Sequence, residues 1–279
     1  MRARSCAHAC DLLAQHSGEA RLIAGGQSLM PVLNMRLANP AILVDINSVG
    51  ELAGISVADG VLRIGALTRH REVGESSLIR QHLRLITDAM RHVAHAAIRN
   101  RGTFGGSLAT ADPAAEMPAC CLALDAGMVI ESVRGRRTVH VDDFFRGTFE
   151  TALKPDEILV AVEFPIPGPL WRHAFVEFAR RRGDFAIVGG AAQARVETRR
   201  MVEVRLVLFG VGDRPVRMRR AEQALVASAR LDEGIAAAQA TLEKDLAPLS
   251  DNQASADTRL HLARVLLRRA LLQFQPVMD

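Results

Sequence analysis

The chain has no tyrosine and one tryptophan, and aromatic side chains make up only 4% of its 279 residues. Any site that requires a phenol is therefore excluded. Cysteine is scarce as well. Cys6, Cys10, Cys120 and Cys121 are the four present, and they form no CxxC pair and no series that could hold an iron–sulfur cluster. They are expected to be reduced and to pack as small apolar residues. No apolar run approaches the roughly 18 residues of a membrane span, and the start shows no charged-then-apolar export signal. No membrane span is expected, and the cytoplasm is the expected compartment. An excess of charge is missing too: the formal net charge is +4, although arginine raises the sequence pI to about 9.3. Such a mildly basic surface permits nucleic-acid binding without indicating it. Two phosphate signatures are also absent. "FGVGDRP" carries Pro215 where a dinucleotide fingerprint needs its third glycine, and no GxxxxGK occurs.

What is present is a chain with 49% apolar and 24% charged residues, enough to bury one large or two medium cores, so two or three compact units are expected. Ser5 reads as the N-cap of a helix carrying Cys6, Ala9, Cys10 and Leu13 on one face. "RLIA" and "AILVDI" read as short strands, and "GISVADGVLRIGAL" as a hairpin about Ala58-Asp59-Gly60. From Thr68 to about Val93 the spacing predicts a helix. Asp112 before Pro113 predicts a second helix over "PAAEMPACCLAL", with Pro118 a potential interruption. "GMVIESVRGRRTVHV" reads as a hairpin and "EILVAVEF" as a strand. "PIPGP" is the clearest break in the chain. Beyond it come three strand-like runs and then three helices, an α+β order.

Two stretches carry the strongest signal. "AGGQSLMP" and "TFGGSLATADPAAEMPA" each place a Gly-Gly turn and a serine between an apolar run and a helix start. Successive glycines leave the backbone bare, so consecutive N–H groups can converge on one anion, and a helix start adds to the attraction. Each charge-assisted bond is worth roughly 1.5–3 kcal/mol gross. Two such turns suit a pyrophosphate gripped from both sides, whereas one alone is more often a plain tight turn. His92 and His95 lack a third ligand near them in sequence, so no metal site is expected. Arg180, Arg181 and Arg182 fit a solvated charge run, followed by Gly183, Asp184 and Phe185 between two strand candidates, where they could lie across a planar ligand.

"AGGQSLMPVLNMRL", "TFGGSLATADPAAEMPA" and "FARRRGDFAIVGGAA", in this order and spacing, resemble the FAD-binding medium subunit of the molybdenum hydroxylase family, of carbon monoxide dehydrogenase and xanthine dehydrogenase type. The resemblance extends to "SADTRLHLARVLLRRAL". It implies an α+β fold with a two-subdomain PCMH-type (vanillyl-alcohol-oxidase-like) FAD-binding domain over residues 1–168, its subdomains about 1–55 and 56–168. A smaller α+β C-terminal domain of carbon monoxide dehydrogenase flavoprotein type would follow over residues 169–279. Carried over position by position, the resemblance assigns one pyrophosphate loop to Ala24, Gly25, Gly26, Gln27 and Ser28 and the other to Thr103, Gly105, Gly106 and Ser107, holding the diphosphate mainly by backbone amides. It assigns Glu116 to a sugar-type hydroxyl of FAD, Leu159 to the neighbourhood of the flavin, and Phe185 to one face of the isoalloxazine. Val176 and Glu177 stand where many members carry a lysine.

The resemblance further implies an oxidoreductase subunit with FAD as its cofactor. Its expected partners are a large molybdopterin-binding subunit and a small 2Fe-2S subunit, as a dimer of heterotrimers. It would accept electrons from the iron–sulfur clusters and pass them to an external acceptor, with quinone, oxygen and NAD all open. No general acid or base is expected on this chain. A self-contained flavin oxidase would need a substrate base that is not evident. A basic binding module would predict salt-dependent nucleic-acid binding without a chromophore, and a flavin-free scaffold is a third alternative.

Overall fold

The computed structural model describes residues 1–274. In chain order the first elements are α1 (Cys6–Gln15), β1 (Ala20–Ile23), α2 (Leu29–Asn34), β2 (Ile42–Asp45), β3 (Ile55–Ala58) and β4 (Val61–Gly65). Short helices follow: α3 (His70–Glu75), α4 (Ser77–His82), α5 (Arg84–Met90), α6 (Ala96–Arg99), α7 (Phe104–Thr110) and α8 (Glu116–Ala123). Then come β5 (Gly127–Ser132), β6 (Gly135–His140), β7 (Phe145–Gly147), β8 (Glu150–Thr151) and β9 (Ile158–Pro165). The remainder is β10 (Trp171–Phe178), β11 (Val188–Glu197), β12 (Arg200–Phe209), β13 (Val216–Arg217), α9 (Arg219–Ala227), α10 (Leu231–Asp245) and α11 (Ala256–Leu272). The mixed helix and strand content is that of an α+β protein.

Two compact units interleave along the chain. The first comprises Met1–Ile79, His95–Ala111 and Asp125–Pro165; the second comprises Arg80–Ala94, Asp112–Leu124 and the chain from Ile166 onward.

In the first unit β1 and β2 pair in parallel, Ala20 opposite Ile42. A five-stranded antiparallel sheet runs β3-β4-β9-β5-β6. Ser5 caps α1, its Oγ accepting the His8 N–H at 3.1 Å, and the buried face of that helix carries Cys6, Ala9, Cys10 and Leu13. This stripe packs with Val44 of β2 and with Ile158 and Val160 of β9 in one core, burial that stabilises the unit by roughly 25 cal/mol per Å² of apolar surface. Asp59 and Gly60 both take positive φ, 50° and 75°, the conformation a two-residue hairpin loop requires.

In the second unit β10, β11, β12 and β13 form an antiparallel sheet. α11 packs on β10 and β11, α8 on β11 and β12, and α9 on β12. Leu206, Leu208, Leu267, Leu271 and Phe274 are fully buried between these layers. Phe175 and Phe209 stack at 5.9 Å.

Two helix predictions differ from the structure, for local reasons. The stretch from Thr68 to Val93 breaks at Ser76, whose Oγ accepts the Ile79 N–H and starts a new helix, and again at Leu83. Serine competes with the helix for backbone groups in this way. After Asp112 the chain first makes a turn: its carboxylate accepts the Ala114 N–H at 2.8 Å and its carbonyl accepts that of Ala115 at 3.1 Å. The helix therefore begins at Glu116. Pro118 falls in its first turn, where a missing N–H costs nothing, so it does not interrupt the helix.

Candidate functional site

The first glycine turn follows directly from β1. Gly26 takes φ +71°. A side chain on Gly25 would place its Cβ 2.1 Å from the Arg101 carbonyl oxygen and 2.8 Å from the Gly102 Cα. Only glycine permits that approach, and it brings the first turn against the residues that lead into the second. The carbonyls of the first turn are held from within the chain. Ala24 accepts from Asn47 Nδ2 at 2.8 Å and Gly25 from Gln27 Nε2 at 3.0 Å. Its amides are not: the N–H groups of Gly25, Gly26, Gln27 and Ser28 find no acceptor among the described residues. Four consecutive donors without a protein acceptor beside a helix start are left available to a ligand.

The second turn is bonded differently. Thr103 is the N-cap of α7 and is buried, so Gly105 and Gly106 lie inside the first helical turn. Phe104 N–H donates to Thr68 O at 2.9 Å and Gly105 N–H to Ala66 O at 2.8 Å. Gly106 N–H donates to Thr103 Oγ1 and Ser107 N–H to Thr103 O, each at 3.1 Å. The backbone amides expected to face an anion here are thus used inside the chain, and the Ser107 hydroxyl is the donor left available. Gly105 is required for contact, since its Cβ would lie 2.4 Å from that of Ala66.

A brace invisible in the sequence joins the two turns. Arg69 Nη1 donates to the Arg101 carbonyl, and Nη2 donates to Asn47 Oδ1 at 2.8 Å. Asn47, just past β2, thereby ties Ala24 of one turn to the arginine that fixes the approach to the other. Leu159 is buried in β9. Its neighbour Val160 accepts the Ala66 N–H at 3.0 Å, which links that strand to Gly105 through one residue.

Glu116 and Phe185 belong to the second unit. Glu116 opens α8 and is 6% exposed. Burial pushes its carboxyl up to about 8, with Glu177 and Asp112 adding negative charge nearby. Glu177 is buried as well and is pushed up to about 7 by burial. Its Oε2 lies 3.8 Å from His92 Nδ1 and has no hydrogen-bond partner. His92 packs against Phe175 with ring centroids 5.1 Å apart and planes tilted by 52°, and burial holds it below its ordinary range. Phe185 is 57% exposed, in the connection between β10 and β11. The preceding arginines are exposed, as a solvated charge run would be, and two of them also bond backbone: Arg180 donates to Asn252 O at 3.1 Å and Arg182 to Arg91 O at 3.3 Å. All four cysteines are buried and unpaired. Among the described residues no group of three or more His, Cys, Asp or Glu could hold a metal ion, and no helix is long and apolar enough to cross a membrane.

An α+β protein with a glycine turn whose amides lack protein acceptors, braced against a second glycine turn, has the features of a cofactor-binding protein. Comparison with known proteins identifies which. Residues 1–167 match the family described as FAD binding domain in molybdopterin dehydrogenase, and residues 173–274 match the CO dehydrogenase flavoprotein C-terminal domain. The 6-hydroxypseudooxynicotine dehydrogenase complex subunit alpha of Paenarthrobacter nicotinovorans is 40% identical over 96% of this chain and 91% of its own length. Caffeine dehydrogenase subunit beta of Pseudomonas sp. (strain CBB1) is 37% identical over 97% and 92%. A chain of the carbon monoxide dehydrogenase structure from Hydrogenophaga pseudoflava superimposes with a TM-score of 0.95, at 34% identity, covering 97% of this chain and 94% of that one. The chain belongs to the family of FAD-binding medium subunits of molybdenum hydroxylases. It is an oxidoreductase subunit, and FAD is its cofactor.

Proposed function

We propose that this chain accepts electrons from the iron–sulfur clusters of a small 2Fe-2S partner subunit and passes them to an external acceptor, while a large molybdopterin-binding subunit oxidises the organic substrate. The assembly we propose is a cytoplasmic dimer of heterotrimers. In it the FAD-binding domain spans residues 1–168, in subdomains of about 1–55 and 56–168, and the C-terminal domain spans 169–279. Bound FAD supplies the exchange between two-electron and one-electron chemistry; the protein supplies binding and orientation.

The observation that carries this reading is the run of unsatisfied amides from Gly25 to Ser28, beside a turn in which the Ser107 hydroxyl is a spare donor. The residues fit a diphosphate. Ala24, Gly25, Gly26, Gln27 and Ser28 hold one side of it, chiefly through backbone donors. Thr103, Gly105, Gly106 and Ser107 form the other side, where Thr103 caps the helix, the glycines allow close packing, and Ser107 donates. Glu116 accepts from a cofactor hydroxyl, a role open to it whether or not it is ionised. Leu159 supplies apolar packing and Phe185 a stacking face.

Absorption spectra of the purified chain before and after FAD addition, with acid release of the bound flavin, test the reading. FAD bound in one equivalent supports it. A chain that stays colourless both alone and in the co-expressed complex overturns it.

A further inference from the structure

Arg259 lies in the first turn of α11, more than seventy positions beyond Phe185 in sequence, and is 7% exposed. Its Nη1 donates to two carbonyls, Ile187 at 2.5 Å and Gly210 at 2.7 Å, and its Nη2 donates to Asp251 Oδ2 at 2.6 Å. Asp251 is itself fixed by N–H donors from Gln253 at 2.9 Å and Ala254 at 3.0 Å. The Arg259 guanidinium and these amides hold its carboxyl down at about 2.

The two carbonyls are junctions. Ile187 closes the loop that presents Phe185, its N–H donating to Phe178 O at 2.9 Å where β10 ends. Gly210 takes φ +71°, and a side chain there would reach within 2.6 Å of the Ile187 oxygen. Its N–H donates to Pro113 O at 3.0 Å, in the turn just ahead of Glu116. One guanidinium therefore holds the ends of both segments that carry Phe185 and Glu116. The same loop is tied at its start, by Arg180 to the Asn252 carbonyl next to Asp251, and midway, by Arg182 to Arg91. A mostly exposed phenyl ring on a loop held at three points is preorganised to meet a flat apolar surface.

The geometry points to Arg259, oriented by Asp251, as a positioning residue for the flavin site: through it the C-terminal domain fixes the loop that lays Phe185 on the isoalloxazine. Arginine is required because its fork reaches three acceptors at once, which a lysine ammonium on a flexible stem cannot reproduce. The inference rests on the proposed role of Phe185, and the test separates the two.

The experiment compares Arg259→Lys, Asp251→Asn, Phe185→Ala and the Arg259→Lys/Phe185→Ala double variant in the purified complex. It measures FAD affinity, the visible circular dichroism and midpoint potential of the bound flavin, and the melting temperature. Expected is a roughly tenfold loss of FAD affinity in Phe185→Ala, a changed flavin dichroism and potential in both Arg259→Lys and Phe185→Ala, and a double variant no worse than Phe185→Ala, because both changes act through one ring. Asp251→Asn, which keeps the two carbonyl bonds, is expected to show the same change in smaller degree, and it carries the test should Arg259→Lys fail to fold. If Phe185→Ala alters the flavin signature while Arg259→Lys and Asp251→Asn only lower the melting temperature, the positioning role is overturned and the Phe185 assignment stands. If Phe185→Ala itself leaves the flavin unchanged, both fall.

Discussion

Gly25 packs its Cα against the carbonyl of Arg101, so closely that an alanine there would set its Cβ 2.1 Å from that oxygen. Both sides of the contact are backbone, and no side chain can swing away to relieve it. Gly25→Ala is expected to part the two glycine turns, lowering stability by about 3 kcal/mol and abolishing FAD retention. Gly106→Ala meets only the Thr103 hydroxyl, at 2.6 Å. That group can rotate away at the loss of its helix cap, about 1 kcal/mol. The flavin-to-protein ratio and melting temperature of the two variants, side by side, check the ranking. Equal effects would contradict it.

Asn47 supplies the next expectation. Its amide bridges the Ala24 carbonyl and the Arg69 guanidinium, so Asn47→Ala leaves the first turn without its brace and frees one arm of Arg69. Apart from the Ala24 carbonyl, none of these atoms belongs to the candidate binding residues, and the unsatisfied amides from Gly25 to Ser28 remain. FAD affinity is expected to fall about tenfold, ~1.4 kcal/mol, with little change in the flavin spectrum once saturated. Fluorescence titration measures it, and unchanged affinity would show that the turn keeps its shape alone.

The parts of this design that were legible in the sequence are those with local causes. The Asp59-Gly60 hairpin, the α1 stripe beneath Ser5 and the strands-then-helices order after residue 170 follow from turn chemistry and periodicity. Helix starts were less legible, because Ser76 and Asp112 use side-chain bonds that only a folded segment decides. The glycine motifs marked their place but not their bonding. Which acceptor takes the Gly105 amide depends on Ala66, some forty residues earlier, and no spacing rule reports it. Asn47, Arg69 and Arg259 were silent for the same reason. Each bonds backbone carbonyls distant in sequence, and such bonds leave no periodic trace. Glu116 and Leu159 were reached through family resemblance alone, whereas Phe185 was also marked by its place after Gly183 between two strand candidates.

Glu116 and Glu177 set the alkaline side of the pH profile. Both carboxyls lie above their ordinary 4.5, at about 8 and about 7. Their folded-state values are raised, so the stability they contribute is complete below 4.5 and is lost as pH rises through 7 and 8. Folding then requires two negative charges to be buried side by side. The pair's contribution to the melting temperature is expected to decline from roughly pH 4.5 to pH 8, and Glu177→Gln should flatten that decline. Parallel profiles for the two proteins would show that the pair does not titrate in this window.

His70 governs the opposite limb. It is buried beneath Gly102, with its Cδ2 3.0 Å from where a Gly102 side chain would begin, and its backbone N–H donates to the Gly102 carbonyl at 3.0 Å. Its Nδ1 has no partner. Burial lowers the imidazole from 6.5 to about 4, and Arg99 adds to the effect. A base with a depressed folded value contributes stability that is complete above 6.5 and is lost as pH falls toward 4. By linkage that loss is on the order of 3 kcal/mol. Because the ring supports the approach to Thr103, acidification across this range is expected to release FAD as well as lower the melting temperature. Asp251, held at about 2, fails only at lower pH and cannot produce this limb. His70→Leu removes both the titration and the unpartnered nitrogen, so its melting temperature relative to that of the natural chain should rise as pH falls from roughly 6.5 to 4, the Glu116 and Glu177 contribution being common to both proteins. Profiles that run parallel across this range would assign the limb to other groups.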